Sequence, residues 1–281
     1  MNSILYPKKD NALKKLFNTE KAIIGVIHCL PTPGSPQFEG ESMDKSIEYA
    51  ITEAQKYSSG GVDGVIVENA WDIPFSKPEN IGIETVAAMS VLADRVKQNI
   101  DIPVGVNCLA NGVLQSLAAA KASNTNFIRA NQWVNAYIAN EGFIEGAASK
   151  ATRYRNHIGG KDIIIMADVH VKHGSHSIVG DRSLFEQARD AEWFAADILI
   201  ATGNRTGDST SLEEIKKIKE ATTLPVIIGS GLNFNNANEL LQISDGAIVG
   251  TSLKKDSVWW SSVEEDKVKK LMEITYSLRK K

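Results

Sequence analysis

The chain has 281 residues, of which 43% are hydrophobic and 23% charged, and its formal net charge is −3 at pH 7. This is the composition of an ordinary globular protein, and the balanced charge excludes the strongly basic surface typical of nucleic-acid-binding proteins. No apolar run approaches the about 20 residues of a membrane-spanning helix, and two cysteines are too few for a disulfide framework, so we expect a cytoplasmic protein with no nucleic-acid partner and no membrane insertion.

The first half of the chain alternates short apolar runs with amphipathic stretches. Residues 1–20 are polar and basic, and a short helix is predicted at about 12–17. Runs rich in β-branched residues predict strands, and longer stretches with apolar residues three or four positions apart predict helices. The predicted order is strand 22–29, helix 43–57, strand 64–69, helix 83–98, strand 104–109, helix 113–122, strand 127–130 and helix 143–157.

The second half continues the same alternation. Ile163 opens an uninterrupted apolar run that leads to Asp168, which is typical of a strand buried on both faces. Ser211, with Glu214 three positions later, predicts an N-terminal capping box. The predicted order is strand 163–168, helix 184–194, strand 198–203, a helix after residue 211, strand 226–231, a short helix 237–241, strand 246–251 and helix 264–278.

Eight strands that each precede a helix predict a single (β/α)8 TIM-barrel domain over residues 1–281. Within it, residues 1–20 form an N-terminal extension that covers the bottom of the barrel. The alternative is a doubly wound open sheet. It is disfavoured because no Gly-x-Gly-x-x-Gly turn follows the first strand.

Polar residues stand at the carboxyl ends of the predicted strands, where barrel enzymes carry their active sites. Glu68 and Asp168 end the second and fifth strands, and His170 would share a face with Asp168 if that strand continued, because side chains alternate with period two. We predict that these three residues supply acid/base catalysis. The other predicted ligand-binding residues are His28, Asn107, Arg129, Lys172, His173 and Thr202.

Two alternatives to this catalytic interpretation remain open. Arg129 could form an internal salt bridge with Glu68 or Asp168 that only neutralises buried charge. A divalent metal ion could be bound by Asp168, His170 and His173 with Glu68 nearby, although no strict spacing such as His-Glu-x-x-His is present. The sequence therefore predicts no metal ligand and no cofactor, and a divalent metal stays an alternative.

A phosphate site is predicted at the end of the chain. The loops after the last two strands of a barrel often bind phosphate through backbone N–H groups. Glycines allow close approach of the backbone to an anion, and hydroxyl groups can donate further hydrogen bonds. The predicted phosphate-binding residues are Gly229, Ser230 and Gly231 after the seventh strand, and Gly250, Thr251 and Ser252 after the eighth.

Several motifs, in order along residues 22–275, resemble the BtpA family. They are His-Cys-Leu-Pro at 28–31, Gly-Val-Asp-Gly-Val-Ile-Val-Glu-Asn at 61–69, Gly-Val-Asn at 105–107, Phe-Ile-Arg at 127–129, Gly-Phe-Ile-Glu-Gly at 142–146, Ala-Asp-Val-His-Val-Lys-His at 167–173, Gly-Ser-Gly at 229–231 and Asp-Gly-Ala-Ile-Val-Gly-Thr-Ser-Leu-Lys at 245–254. The resemblance implies a (β/α)8 barrel. Residues 130–142 depart from the family pattern, which leaves the substrate open.

The resemblance implies two kinds of function. The family includes a factor linked to photosystem I accumulation, and other members are associated with nucleosidase-like or sugar-phosphate chemistry. We expect a cytosolic enzyme that acts on a small phosphorylated metabolite derived from a sugar or a nucleoside, either as a hydrolase or as a sugar-phosphate isomerase or lyase. The alternative is a non-catalytic biogenesis factor for a membrane complex. Aromatic residues in the predicted loops at 71–75 and 259–260 favour a homo-oligomer.

Overall fold

Eight parallel strands form a closed barrel in the computed structural model, which describes residues 9–203 and 210–279. Residues 1–8 of the predicted N-terminal extension lie outside this part. In chain order the strands are β1 (Ala22–His28), β2 (Gly64–Glu68), β3 (Val104–Asn107), β4 (Phe127–Ala130), β5 (Ala136–Ala139), β6 (Gly142–Glu145), β7 (Ile164–Asp168), β8 (Gly174–Ser175), β9 (Ile198–Ala201), β10 (Val226–Ile228) and β11 (Gly246–Val249). The order around the barrel is β1-β2-β3-β4-β7-β9-β10-β11, and β11 pairs with β1. The predicted TIM barrel is confirmed, and the open sheet is excluded.

Helices connect the barrel strands and cover their outer faces. They are α1 (Ala12–Phe17), α2 (Met43–Ser59), α3 (Ile83–Asn99), α4 (Val113–Ala122), α5 (Ala148–His157), α6 (Leu184–Trp193), α7 (Leu212–Ala221), α8 (Ala237–Ile243) and α9 (Glu265–Arg279), with 3-10 turns at 78–80, 177–179, 251–253 and 255–257. The Ser211 side chain accepts a hydrogen bond from the Glu214 backbone N–H and so begins α7 as predicted. None of these helices, as far as the structure describes them, is long and apolar enough to cross a bilayer.

The loop after β4 differs from the prediction. A helix was expected over residues 143–157, but residues 142–145 form β6, which pairs antiparallel with β5, and the helix begins only at Ala148. Phe143 is exposed and Ile144 buried, which is the alternation of a strand that covers a surface on one side. Together with β8, this hairpin forms a small three-stranded sheet outside the barrel.

The barrel interior is filled by apolar side chains. Inward-facing residues of the strands form one buried cluster, which includes Ile24, Val26, Ile66, Phe127, Met166, Ile198, Ile200, Ile227 and Ile248. Leu13 of α1 belongs to the same cluster and is only 2% exposed, and Phe17 packs edge-on against Phe127 with ring centroids 6.0 Å apart. The predicted short helix therefore covers the bottom of the barrel, which leaves the carboxyl ends of the strands as the open face.

Candidate active site

The last inward-facing residues of the barrel strands form a mostly polar ring at the open face. We call this set of residues the mouth ring. In most strands this position lies two residues beyond an inward apolar residue, as Glu68 lies beyond Ile66 and Asp168 beyond Met166. The mouth ring consists of His28, Glu68, Asn107, Arg129, Asp168, Thr202, Gly229 and Gly250. All eight residues were predicted as site residues from the sequence, and strand periodicity is the reason that they meet.

Arg129 and Asp168 form a buried ion pair in the mouth ring. The guanidinium contacts both carboxylate oxygens, at 3.1 Å from Nη2 and 3.3 Å from Nε. The residues are 6% and 3% exposed. Of the two salt bridges that the sequence left open for Arg129, the one with Asp168 is formed. A planar arginine fork bound to a carboxylate in this manner is held in a single orientation.

Further donors complete the surroundings of the Asp168 carboxylate. The Thr202 hydroxyl donates to Oδ1 at 3.0 Å, and the Asn131 amide donates to Oδ2 at 3.1 Å. Both carboxylate oxygens are therefore engaged within the protein. This arrangement favours a role for Asp168 in holding Arg129 over a role in which it takes a proton from a substrate.

Glu68 lies on the other side of the mouth ring in a more open arrangement. Its Oε2 accepts a short hydrogen bond of 2.6 Å from the Asn107 amide, and its Oε1 lies 3.9 Å from Nε2 of His28. Among the described residues no donor forms a hydrogen bond to Oε1. This carboxylate oxygen can therefore exchange a proton with a ligand in the mouth, which is the geometry that a general acid or base requires.

His28 presents an unprotonated nitrogen to the same region. Its Nδ1 lies 2.7 Å from the Trp259 carbonyl oxygen, which can only accept, so we assign the proton of the neutral ring to Nδ1. Burial lowers the pKa of His28 to about 4, and the charge of Lys254 adds to the lowering. The ring is therefore neutral at pH 7, and Nε2 faces Glu68 as an acceptor.

The lowered pKa of His28 predicts a pH dependence of stability. The unfolded chain takes up the proton below its ordinary value of 6.5 and the folded chain only near 4, so the free energy of unfolding falls as the pH falls through this interval. Between pH 7 and pH 5 we expect the wild-type protein to lose about 2 kcal/mol more than the His28→Gln variant. Urea unfolding at the two pH values measures this difference, and equal losses in both proteins would contradict the assignment.

Lys172 returns from the loop after β7 towards the mouth ring. Its Nζ donates to the Ser230 hydroxyl at 3.2 Å. Burial lowers the pKa of the Lys172 ammonium to about 8, and the Arg129 guanidinium lowers it further, whereas Asp168 and Glu68 oppose the shift. The amine therefore connects the predicted phosphate loop with the charged part of the mouth ring.

The two predicted phosphate loops lie side by side, because β10 and β11 are neighbours in the barrel. The Ser252 hydroxyl donates to the Leu232 carbonyl at 2.7 Å and so links the loops. Gly231 has a φ of +77°, a conformation that a residue with a side chain rarely adopts. Gly229 leaves room for Ile200 and Arg129, because a Cβ atom there would clash with Ile200 Cγ2 and lie 3.2 Å from Arg129 Nη2. Gly229, Ser230, Gly231, Gly250, Thr251 and Ser252 thus lie together on one side of the mouth.

Two predicted histidines lie apart from the mouth ring. Strand β7 ends at Asp168, so the expectation that His170 continues its face is wrong. Instead His170 stacks on His176 with ring centroids 3.6 Å apart, and its Nδ1 lies 3.4 Å from the Gln187 side-chain oxygen. These three residues line a separate cavity of about 580 Å³ beside α6 and α7. His173 is exposed, with a φ of +67°.

Sequence reasoning missed two residues that support the site. Asn131 donates a hydrogen bond to Asp168, and the only feature of the sequence that indicates this role is the position of a polar residue just after a strand end. Glu214 was predicted as a capping-box residue, but its Oε1 accepts from the backbone N–H groups of Thr202 and Gly203, at 3.1 and 3.5 Å. Burial raises the pKa of Glu214. It positions the end of β9, and with it the Thr202 hydroxyl.

The cysteines and the aromatic loops have clear structural roles. Cys29 and Cys108 are buried free thiols, and burial raises the pKa of both, which favours packing over nucleophilic chemistry. Trp259 packs against Trp71 and His28, with ring centroids 4.9 and 5.6 Å apart. Trp260 is 55% exposed, and a homo-oligomer that uses it stays a prediction. No cluster of three or more histidine, cysteine or acidic residues suited to a metal ion occurs within residues 9–203 and 210–279.

Comparison with known proteins places this architecture in a family. The model of the BtpA family matches residues 19–277. Photosystem I biogenesis protein BtpA from Synechocystis is 38% identical over 245 residues, which cover 86% of this chain and 84% of that protein.

Solved structures of low sequence identity share the fold. Thiamine phosphate pyrophosphorylase from Pyrococcus furiosus superposes with a TM-score of 0.56 at 17% identity, over 95% of this chain and 99% of that one. (S)-3-O-geranylgeranylglyceryl phosphate synthase from Thermoplasma acidophilum, in complex with its substrate sn-glycerol-1-phosphate, superposes with a TM-score of 0.58 at 15% identity, over 100% of both chains. Both structures share the barrel architecture with this chain.

Proposed function

This chain belongs to the BtpA family, and from its mouth ring we propose that it is an enzyme that acts on a small phosphorylated metabolite, derived from a sugar or a nucleoside, by acid/base chemistry. One observation carries the proposal: a glycine-rich pair of loops follows β10 and β11, and the neutral imidazole of His28 and the carboxylate of Glu68 stand at the ends of the adjoining strands β1 and β2, with no hydrogen-bond donor to Glu68 Oε1 among the described residues. The loops suit a phosphate group, and the carboxylate and imidazole suit a proton transfer.

In this proposal the phosphate is held by residues 229–231 and 250–252, with Lys172 adding positive charge beside Ser230. The reactive part of the ligand then lies over Glu68 and His28. Arg129, fixed by Asp168, orients a ligand oxygen by charge and hydrogen bonding, and Asn107 positions Glu68. The fold neighbour in complex with sn-glycerol-1-phosphate supports the proposal, since it is a barrel of similar architecture with a phosphorylated substrate.

Glycosidic cleavage and aldose–ketose isomerisation both fit this arrangement. Each needs one group that donates a proton and one that accepts it. Apolar surroundings favour the protonated form of a carboxyl group, and a neighbouring cation favours the ionised form, so different carboxyl groups in one site can hold different protonation states. Glu68 is the proposed acid/base residue. Asp168 was predicted for the same role, and its hydrogen bonds support a positioning role instead.

A second candidate function is a non-catalytic role in the biogenesis of a membrane complex. It is favoured by the name of the Synechocystis relative, Photosystem I biogenesis protein BtpA. A scaffold, however, has no evident use for a buried arginine, two carboxylates and a lysine of lowered pKa at the mouth of a barrel. Ionisable groups with shifted pKa values in a cleft are more typical of catalytic sites.

A thermal-shift screen tests the proposal directly. A ligand present at 100 times its Kd stabilises the folded state by about 2.7 kcal/mol, which is readily detected. We expect phosphorylated sugars or nucleosides to raise the unfolding temperature, and their dephosphorylated counterparts to raise it far less. If no phosphorylated compound raises the unfolding temperature, the proposal fails.

The phosphate loops give a more local prediction. Gly250→Val should weaken binding of a phosphorylated ligand by about 10-fold or more, because the branched side chain enters the space beside the loop, whereas the fold should persist because the backbone at Gly250 is not in the left-handed region. Gly250→Ala is the matched control, since its Cβ would lie 3.4 Å from His28 and Val26, an ordinary contact. Titration calorimetry with a phosphorylated and dephosphorylated pair measures the effect. Equal affinity of the wild-type protein for both compounds would contradict the proposed phosphate site.

A further inference from the structure

We propose that Lys172 is an amine nucleophile that forms a Schiff base with the substrate. The inference rests on the proposed function and narrows it, because the phosphorylated metabolite must then carry an aldehyde or a ketone. It favours an isomerase or a lyase over a glycoside hydrolase, since the latter reaction needs no carbonyl group in its substrate.

The position of the amine is the first support. Lys172 follows β7 by four residues, and its side chain reaches back over the barrel to Ser230, with the two polar atoms 3.2 Å apart. Ser230 belongs to the loop that we propose for the phosphate. A small substrate anchored there by its phosphate would therefore have its carbonyl carbon within a few bonds of Nζ, which is the proximity that covalent catalysis requires.

The charges around the amine are the second support. Within the described residues, no carboxylate forms an ion pair with Nζ of the half-buried Lys172 at 4.0 Å or less, whereas the fully buried Lys254 is paired with Glu53. The neighbouring charge with the largest influence is another cation, Arg129, and that guanidinium is already committed to Asp168. Burial and a nearby cation are the means by which proteins keep a lysine unprotonated for nucleophilic attack.

The lowered pKa has a quantitative consequence. With a pKa of about 8, about one-tenth of the Lys172 amines are neutral at pH 7, whereas a lysine of ordinary pKa has less than about one-thousandth in this form. Lys254, a fully buried lysine at this end of the barrel, contrasts with the half-buried Lys172, because Lys254 is paired with Glu53 at 3.7 Å and donates to the Ser261 carbonyl. Lys254 is therefore structural, and Lys172 is the lysine available to a ligand.

Formation of the Schiff base needs no reactant other than the amine and the carbonyl substrate. The lone pair of the neutral amine attacks the carbonyl carbon, and a C–N bond forms while the carbonyl π electrons move to oxygen, which takes a proton. The nitrogen loses a proton, and the hydroxyl group then takes a proton and leaves as water, which yields an iminium ion. Glu68 and His28 are the groups at the mouth that can supply and accept these protons. The iminium withdraws electrons from the adjacent carbon and so promotes loss of its proton or cleavage of its C–C bond, and water reverses the step.

Unpaired acceptors on two residues that donate to Glu68 and Asp168 fit the rest of such a substrate. Asn107 Oδ1 and Asn131 Oδ1 are buried, and neither has a hydrogen-bond partner among the described residues. A buried acceptor without a donor is costly, so a ligand that brings donors is favoured at this place. The hydroxyl groups of a polyhydroxy aldehyde or ketone are donors of this kind.

Pyridoxal 5′-phosphate is a suitable probe, because one molecule carries an aldehyde and a phosphate. The full-length protein is treated with one equivalent at pH 8, reduced with borohydride, digested and mapped by mass spectrometry. We expect a reduced adduct on Lys172 at least about 10 times more abundant than on any exposed lysine, with Lys255 as the reference because it is exposed on the loop after β11. Inorganic phosphate should suppress the adduct, and pyridoxal should give much less of it.

Each result has a distinct meaning. If Lys172 is labelled no more than Lys255, the Schiff-base inference is wrong. The proposed function still stands in that case if pyridoxal 5′-phosphate raises the unfolding temperature. Equal labelling of Lys172 by pyridoxal and pyridoxal 5′-phosphate supports the nucleophile and contradicts the phosphate site. The Lys172→Arg variant separates charge from nucleophilicity: it should keep the thermal shift by the phosphorylated probe and lose the adduct, whereas Lys255→Ala should keep both.

Discussion

We expect the Glu68→Gln variant to turn over its substrate about 100-fold more slowly than the wild-type protein, as loss of a general acid or base usually does. Glutamine has the shape of glutamate, and its side-chain oxygen can still accept the hydrogen bond that Asn107 donates to Glu68. It cannot exchange a proton at the position of Oε1, which faces His28 at 3.9 Å. The fold should therefore persist while proton transfer is lost.

Two measurements separate catalysis from binding in this variant. Because the phosphate loops lie on another part of the mouth, the affinity for the phosphorylated ligand should change little while kcat falls. Glu273→Gln is the matched control, since Glu273 is an exposed glutamate of α9 on the outside of the barrel, and its kcat should equal that of the wild-type protein. A folded Glu68→Gln variant with near-normal turnover would show that this carboxylate is structural.

The second large effect is expected on stability. Arg129→Ala leaves the carboxylate of Asp168 buried at 3% exposure without its counter-ion. Removal of one partner from a buried pair costs about 3–5 kcal/mol, because the remaining charge is withdrawn from solvent and has lost its contacting counter-ion. Thr202 and Asn131 still donate to the carboxylate and limit the loss. Chemical denaturation at pH 7 measures the difference in the free energy of unfolding.

Arg95→Ala is the control for the loss of an arginine as such. Arg95 lies on the surface of α3, where its contact with Asp94 is exposed, and such a pair contributes about 0–1 kcal/mol. Asp168→Asn should also lower kcat by about 100-fold, through loss of the fixed orientation of Arg129. If Arg129→Ala is no less stable than Arg95→Ala, the buried pair does not have the energetic role assigned to it.

Most of the fold was accessible from the sequence, because barrel strands are buried on both faces and appear as apolar runs with sharp ends. The failure at residues 143–157 has a physical cause. Strand β6 is four residues long, and a segment of this length carries too few residues to separate a period of two from one of 3.6. Its partner β5 follows β4 after a short loop and is not one of the eight strands of the barrel, each of which precedes a helix in the predicted pattern.

The mouth ring was predictable for the same reason as the fold. Side chains alternate along a strand, so every second residue points into the barrel. The polar residue two positions beyond an inward core residue must therefore face the mouth. The failure at His170 shows the limit of this rule, since it holds only while the strand continues, and β7 stops at Asp168. The hydrogen bonds of Asn131 and Glu214 were not predictable, because both side chains come from loops or helices whose approach depends on tertiary packing.

The most direct test of an enzyme at the barrel mouth is the fate of a bound ligand. The phosphorylated compound that raises the unfolding temperature most is incubated with stoichiometric wild-type protein, and both ¹H and ³¹P NMR spectra are followed over time. We expect new resonances from a converted product with wild-type protein, and unchanged spectra with Glu68→Gln. Recovery of the bound compound unaltered from the wild-type protein would contradict catalysis and leave the non-catalytic biogenesis role as the better account.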